Sequence, residues 1–276
     1  EHRVSVVIPA LNEAGNLKYV LPRIPRWVHE VLLVDGESTD GTPRVAEQLL
    51  PGIRVVAQQG RGKGAALRSG FAAATGDIIV MLDADGSTDP AEIPAFVGVL
   101  LGGADFVKGS RFLQGGGTED MPIHRQIGNR AFVMLVQLLI GGRFTDLCYG
   151  YNAFWSQTIR SLDLDGDGFE IETMMNVRAL KAGFKVAEVA SFEAKRVSGI
   201  ARLQTIPDGW RVLKTIFREW RRAPVRCELA GVAVTANDTH PLGGVDRHVV
   251  SSVRPSRAAH HVSRSLHRRD HTSVGP

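Results

Sequence analysis

At 276 residues the chain is long enough to bury a full α/β core in one domain or two. Its composition, 43% apolar and 22% charged, is that of a globular protein, and 33 Lys and Arg against 29 Asp and Glu leave no global basic face for nucleic acid. Two widely spaced cysteines, Cys148 and Cys227, exclude a disulfide scaffold and point to a reducing, cytoplasmic compartment.

Residues 4–8 form a short apolar run closed by Pro9, as a buried strand reads. Leu17, Val20, Leu21 and Ile24 follow at helical spacing, with Pro22 weakening the last turn. Strands are then expected at 31–34, 53–57, 78–82 and 105–109. The helices between them are expected at 42–50, at 64–74 and after Pro90, which suits a first helical turn. Continuous apolar strands alternating with helices predict a parallel sheet covered on both faces, a three-layer α/β/α sandwich.

Beyond Arg111 the pattern changes. A glycine loop spans 114–118, an apolar helix 123–140, a strand 147–154, a helix 171–182 and a strand 185–190. Residues 206–222 read as a basic amphipathic helix carrying Trp210, Val212, Leu213, Ile216, Phe217 and Trp220. The longest apolar run, residues 131–140, is about half of a membrane span, and the start lacks a secretory-signal pattern. Residues 1–222 are therefore expected to form one domain. Residues 223–276, with seven Arg, no Lys and six of the nine His, read as a disordered tail. The adjacent His260 and His261 in it are more simply solvated than metal-binding.

In an open parallel sheet, ligands bind beyond the carboxyl ends of the strands. Glu13, Asp35, Asp83 and Asp85 all fall at such ends, and four carboxylates on one edge need compensation by a metal or by a donor-rich ligand such as a nucleotide. Asp35 sits where a ribose-binding acid would, yet the first strand runs into Pro9-Ala10-Leu11-Asn12-Glu13 with no glycine fingerprint, which excludes a dinucleotide site. Asp83-Ala84-Asp85 after an apolar strand offers two hard oxygen ligands to one Mg²⁺ or Mn²⁺. Gly60-Arg61-Gly62-Lys63-Gly64 is either a phosphate-approaching loop or a plain turn with a helix cap; it lacks the spacing of a P-loop. Asp163 to Gly168 resembles a calcium loop, but Met174 stands where the bidentate glutamate is required. Glu170 and Glu172 serve either catalysis or the start of the helix after them.

With these residues in hand, the sequence resembles the family 2, GT-A-fold glycosyltransferases, and within them the dolichyl- and polyprenyl-phosphate mannose and glucose synthases. The matching pieces run in order through about residues 4–220: Val7 to Glu13, Val34 to Thr42, Gly62 through Gly70, Ala74 to Asp77, Met81 to Asp85 and Gly109-Ser110-Arg111-Phe112. The resemblance implies a GT-A (Rossmann-like) fold and inverting transfer of a sugar from a UDP- or GDP-sugar. Glu13 and Asp35 would hold the nucleoside, with Pro9, Asn12 and Ala84 beside it. Lys63 or Arg68 would meet the phosphates or base, and Asp83 and Asp85 would hold the metal and diphosphate.

For the acceptor, the resemblance implies a polyprenyl phosphate touched by Arg111, Arg125, Asn129, Arg196 and Arg202. Tyr149 replaces a small hydroxyl residue in that branch's pattern, and Ala201 and Arg202 replace Ser and Lys, which changes the phosphate donors available. A soluble hydroxyl acceptor would instead need a base, for which Asp146, Glu170 and Glu172 are candidates. A non-catalytic nucleotide-sugar binder is the rival from another class, and retention of both Asp83 and Asp85 counts against it. The helices at 123–140 and 206–222 either pack and solvate as ordinary surface helices or dock peripherally on the cytoplasmic membrane face.

Overall fold

The computed structural model describes residues 2–199 and 202–223. His260, His261, nearly all of the Arg- and His-rich tail, and Ala201 lie outside the described residues. The first half alternates as its apolar runs require: β1 (Val4–Ala10), α1 (Leu17–Val20), β2 (Glu30–Asp35), α2 (Thr42–Leu49), β3 (Arg54–Ala57), α3 (Lys63–Ala73), β4 (Ile78–Met81), α4 (Ile93–Leu101) and β5 (Phe106–Ser110). Pro22 ends α1 after one turn, and the chain continues as a short 3₁₀ segment, Leu21–Arg23. Pro90 opens a second 3₁₀ turn, capped by the Asp89 carboxylate accepting from the Ala91 amide, and this turn leads into α4.

The second half adds β6 (Gly117–Thr118), α5 (Ile123–Leu139), β7 (Asn152–Trp155), α6 (Ser156–Ser161), α7 (Ile171–Lys181), β8 (Val186–Ala190), β9 (Phe192–Glu193) and α8 (Thr205–Arg221). Seven strands pair in the order β3-β2-β1-β4-β7-β5-β8. All neighbours are parallel except β7, which runs antiparallel between β4 and β5. The expected mostly parallel three-layer sandwich is what forms.

Alternation along the central strands sorts the core into two layers. Val6, Ile8, Leu33, Val80 and Leu82 face Leu17, Val20, Ile93 and Phe96. Val7, Leu32, Val34, Ile79 and Met81 face Leu67, Phe71, Met175 and Val177 on the other side. Two features carried no readable period. α6 is a six-residue polar segment, Ser-Gln-Thr-Ile-Arg-Ser, and β6 and β9 are two-residue strands that pair only with each other, Gly117 against Phe192 and Thr118 against Glu193.

α7 and α8 are joined through a buried ion pair. The Arg178 guanidinium, almost wholly buried, donates to both oxygens of buried Glu219 at 3.0 and 2.7 Å, to Asp165 at 2.6 Å and to the Leu162 and Asp163 carbonyls. This fixes the 163–168 loop under α8: Asp165 also meets Arg218 at 3.3 Å, and Asp163 meets Arg222 at 2.8 Å. Each carboxylate of this loop is turned to an arginine, so the loop holds helices rather than a cation. Glu219→Ala would leave a buried guanidinium without its main counter-ion. The expected cost is about 3–5 kcal/mol in urea unfolding, whereas a paired Arg178→Met, Glu219→Leu substitution should lose far less.

Candidate active site

The carboxyl ends of β1, β2, β4 and β5 open into one cavity of about 630 Å³, closed on its far side by α5 and α8. Ala84 is buried in the core, and that anchors the turn with Asp83 and Asp85 on the cavity side. Asp85 is oriented by its own turn, where one oxygen accepts from the Ser87 amide at 3.0 Å and the Ser87 hydroxyl at 2.7 Å.

Two cations compensate four carboxylates there. Lys63, the first residue of α3, lies 2.6 Å from Asp83 and 2.8 Å from Glu172. Burial alone would lower its pKa, but the two carboxylates outweigh this and hold it raised. For Glu172 the order reverses: burial raises its pKa, and Lys63 opposes that shift. Arg196 lies 2.9 Å from Glu13 and 3.1 Å from Asp85. Glu13 is further held by Asn16, and Asn16 also accepts from Ser198, which brings the 194–199 segment across the cleft. Each cation is shared between two acids, so among the described residues this cluster is two positive charges short.

The basic glycine loop is explained by chain crossing. A side chain on Gly62 or Gly64 would come within 2.3 Å of the Asp167 or Gly166 carbonyl. The Gly64 and Ala65 amides, which phosphate would need, donate instead to the Asp167 carbonyl at 2.8 and 3.3 Å. The loop is thus a helix cap made by residues 166–167, and only Lys63 and the loop's outer rim face the cavity.

Of the residues singled out from sequence, Pro9, Glu13, Lys63, Asp83, Ala84, Asp85, Arg111, Arg125, Asn129, Glu172, Arg196 and Arg202 line this cavity. Four others do not. Asn12 accepts from the Thr39 amide at 2.7 Å and organises the turn after β2. Arg68 points away, bonding the Gly166 carbonyl and Asp167 at 2.6 Å, so it is a clasp on the 166–167 loop and not a phosphate ligand. Asp146 is fully buried and pairs bidentately with Arg111 at 2.7 and 3.0 Å, with its pKa lowered chiefly by that arginine against the burial penalty. It has no path to an acceptor hydroxyl. Asp35 sits just behind Gly36 and Glu37, which do line the cavity, and one of its buried oxygens has no protein partner. Glu170 accepts from the Asp167 and Gly168 amides and caps the turn before α7, so of the two glutamates only Glu172 belongs to the site.

Sequence reasoning missed Glu193 and Gly150. Both Glu193 oxygens accept from one nitrogen of Arg111, at 3.1 Å, and Glu193 lines the cavity. It follows β8 by three residues, and the strand-end rule that picked out Glu13 would have found it. Gly150 carries no sequence signal.

This geometry has known relatives. The sequence profile of the family described as "Glycosyl transferase family 2" matches residues 5–162. The chain is 33% identical over 221 residues to glycosyltransferase AglJ of Haloferax volcanii, covering 78% of this chain and 71% of that one. It is 32% identical over 217 residues to the undecaprenyl-phosphate mannosyltransferase of Micrococcus luteus, covering 73% and 87%. Glucosyl-3-phosphoglycerate synthase from Mycobacterium tuberculosis, solved with Mn²⁺, UDP and phosphoglyceric acid, superposes with a TM-score of 0.64 at 24% identity over 80% of this chain and 79% of that one. The fold is that of the GT-A glycosyltransferases. The chain belongs to glycosyl transferase family 2 and is a sugar-transferring enzyme.

A methyl group on Gly150 would fall 2.7 Å from an Asp83 oxygen and 2.8 Å from the Lys63 ammonium. Gly150→Ala should therefore raise the KM for the nucleotide sugar about tenfold or more while the melting temperature moves by only a few degrees. An unchanged KM would show that the Lys63–Asp83 pair is not part of donor binding.

Proposed function

We propose that the cavity binds a UDP- or GDP-sugar with Mg²⁺ or Mn²⁺ and transfers the sugar, with inversion, to a polyprenyl phosphate. The observation that carries this reading is the two-charge deficit among Glu13, Asp83, Asp85 and Glu172 at the open edge of the sheet. Asp83 and Asp85 are hard oxygen donors suited to either ion. Among the described residues, no set of three or more His, Cys, Asp or Glu is gathered to hold an ion. An ion at Asp83 and Asp85 would thus share its remaining positions with diphosphate oxygens and water, as Mg²⁺ prefers. Bound there, it would stabilise charge on the departing nucleoside diphosphate.

The chain's own groups do the rest. Glu13 would accept from the hydroxyls or base of a nucleoside, and Asp35, just behind the cavity wall with one oxygen unpartnered among the described residues, would support that contact. Lys63 holds Asp83 in place and adds positive charge beside the diphosphate. Donor loading would draw Arg196 off Asp85 and leave it to face the acceptor. An attacking lipid-phosphate oxygen forms the new bond to the anomeric carbon as the bond to the diphosphate breaks. That oxygen is already anionic near neutral pH, so no base is required. The relatives named for undecaprenyl phosphate and for polyprenol monophosphomannose synthesis favour this acceptor, the latter 29% identical over 233 residues. Arg111, Arg125 and Asn129 supply donors on the α5 side of the cavity.

The outer surface also favours a lipid. On α5, Ile123, Ile127, Met134 and Leu138 recur on one side of the helix and are all exposed. On α8, Ile206, Trp210, Phe217 and Trp220 are exposed among Lys214 and Arg221. No described helix is long and apolar enough to cross a membrane, so contact through these faces would be peripheral and salt-sensitive.

Asp85→Ala should lower turnover by at least about a hundredfold with the fold retained by circular dichroism. In the same assay, label from a radioactive donor should enter organic solvent only when polyprenyl phosphate is supplied. Label that stays in the aqueous phase, bound to a small acceptor, would overturn the lipid reading.

A further inference from the structure

Arg111 follows directly on β5 and presents its guanidinium to the acceptor side of the cavity. Its donors are nearly spent. Asp146 takes the ε nitrogen and one terminal nitrogen at 2.7 and 3.0 Å, and both Glu193 oxygens accept from the other at 3.1 Å, so all three nitrogens are engaged. The Tyr149 ring lies 4.7 Å from the guanidinium carbon, so the plane cannot tilt freely towards a ligand.

The two carboxylates are not equivalent. Asp146 is fully buried, does not line the cavity, and is anchored by the Arg111 and Cys148 amides at 3.3 and 3.2 Å. Glu193 stands in the cavity wall and has a second partner, the Thr118 hydroxyl at 2.6 Å, to which it can remain bonded after releasing Arg111. Thr118 in turn accepts from the Met121 amide at 3.0 Å, in the turn that opens α5.

We infer that Glu193 is a positioning residue: it clamps Arg111 against anions, and an acceptor phosphate must take the arginine from it. This rests on the phosphate-acceptor reading above. An anion approaching Arg111 meets two carboxylates on one guanidinium, and it gains little from that arginine unless Glu193 yields. Small soluble phosphates have little other binding energy to offset that exchange. An acceptor held by an apolar tail supplies it elsewhere, so the clamp sets an affinity threshold that a lipid-borne phosphate can clear.

The test uses the whole chain with Glu193→Gln, which keeps the shape and a bond to Thr118 but removes the charge. Glu119→Gln, an exposed neighbour, serves as the charge control. Inorganic phosphate is titrated by ³¹P NMR with Mg²⁺ and nucleoside diphosphate present to fill the donor side. Glu193→Gln should bind it about tenfold more tightly than the unaltered protein, and the KM for polyprenyl phosphate should fall by a similar factor. The donor KM should stay within about twofold and the Glu119→Gln values should not move. Unchanged or weaker phosphate binding in Glu193→Gln, or an equal gain in Glu119→Gln, overturns the inference. The phosphate titration decides the clamp even if polyprenyl phosphate proves not to be an acceptor, an outcome that would overturn the lipid reading separately.

Discussion

The structure depends on a concentration of negative charge at the carboxyl edge of its sheet. β1 and β4 end in acids because the topology gathers strand ends there, and α7 adds Glu172 from behind. Lys63 and Arg196 each bridge two of these carboxylates, at 2.6 to 3.1 Å, and among the described residues no third cation joins them in that cluster. A fold that packs four acids around two bases at an open cleft is poised for a divalent ion and a diphosphate together. One divalent ion would match this deficit, and the diphosphate would supply oxygen ligands beyond those of Asp83 and Asp85, which is why donor and metal are proposed to load as a unit.

The donor half was legible because its signals are local. An apolar run ending in an acid reads as a buried strand pointing a carboxylate at a ligand, and Glu13, Asp83 and Asp85 all line the cavity. The acceptor-side Arg111, Arg125 and Asn129 line it too, but the pairings around the site were not legible, because they are set by residues far apart in sequence. Nothing near Asp146 shows that Arg111 will bury it, and nothing near Arg68 shows that the 166–167 loop will claim it. The two-residue strands that bring Glu193 to Arg111 have no periodicity to detect. Asn12 failed for another reason: it has a left-handed backbone, φ 57°, and its side chain is used by the Ser38-Thr39 turn.

The 163–168 loop ties these parts together. It receives Arg218 from α8, Arg222 from just beyond it, Arg178 from α7 and Arg68 from α3, and its carbonyls cap the helix that begins with Lys63. The helix with an exposed aromatic face and the lysine beside the donor carboxylates are therefore held by one short segment. That segment reads in sequence as a failed calcium loop; in the fold its acids are spent on arginines.

Everything proposed for the donor follows from a cation held jointly by Asp83, Asp85 and a diphosphate. Mn²⁺ binding followed by electron paramagnetic resonance, with and without UDP or GDP, tests this directly. The account predicts weak Mn²⁺ binding alone, at least about tenfold tighter binding with the matching nucleoside diphosphate, and loss of that gain in Asp85→Asn. Equal nucleotide affinity with and without Mn²⁺, unaffected by Asp85→Asn, would contradict it.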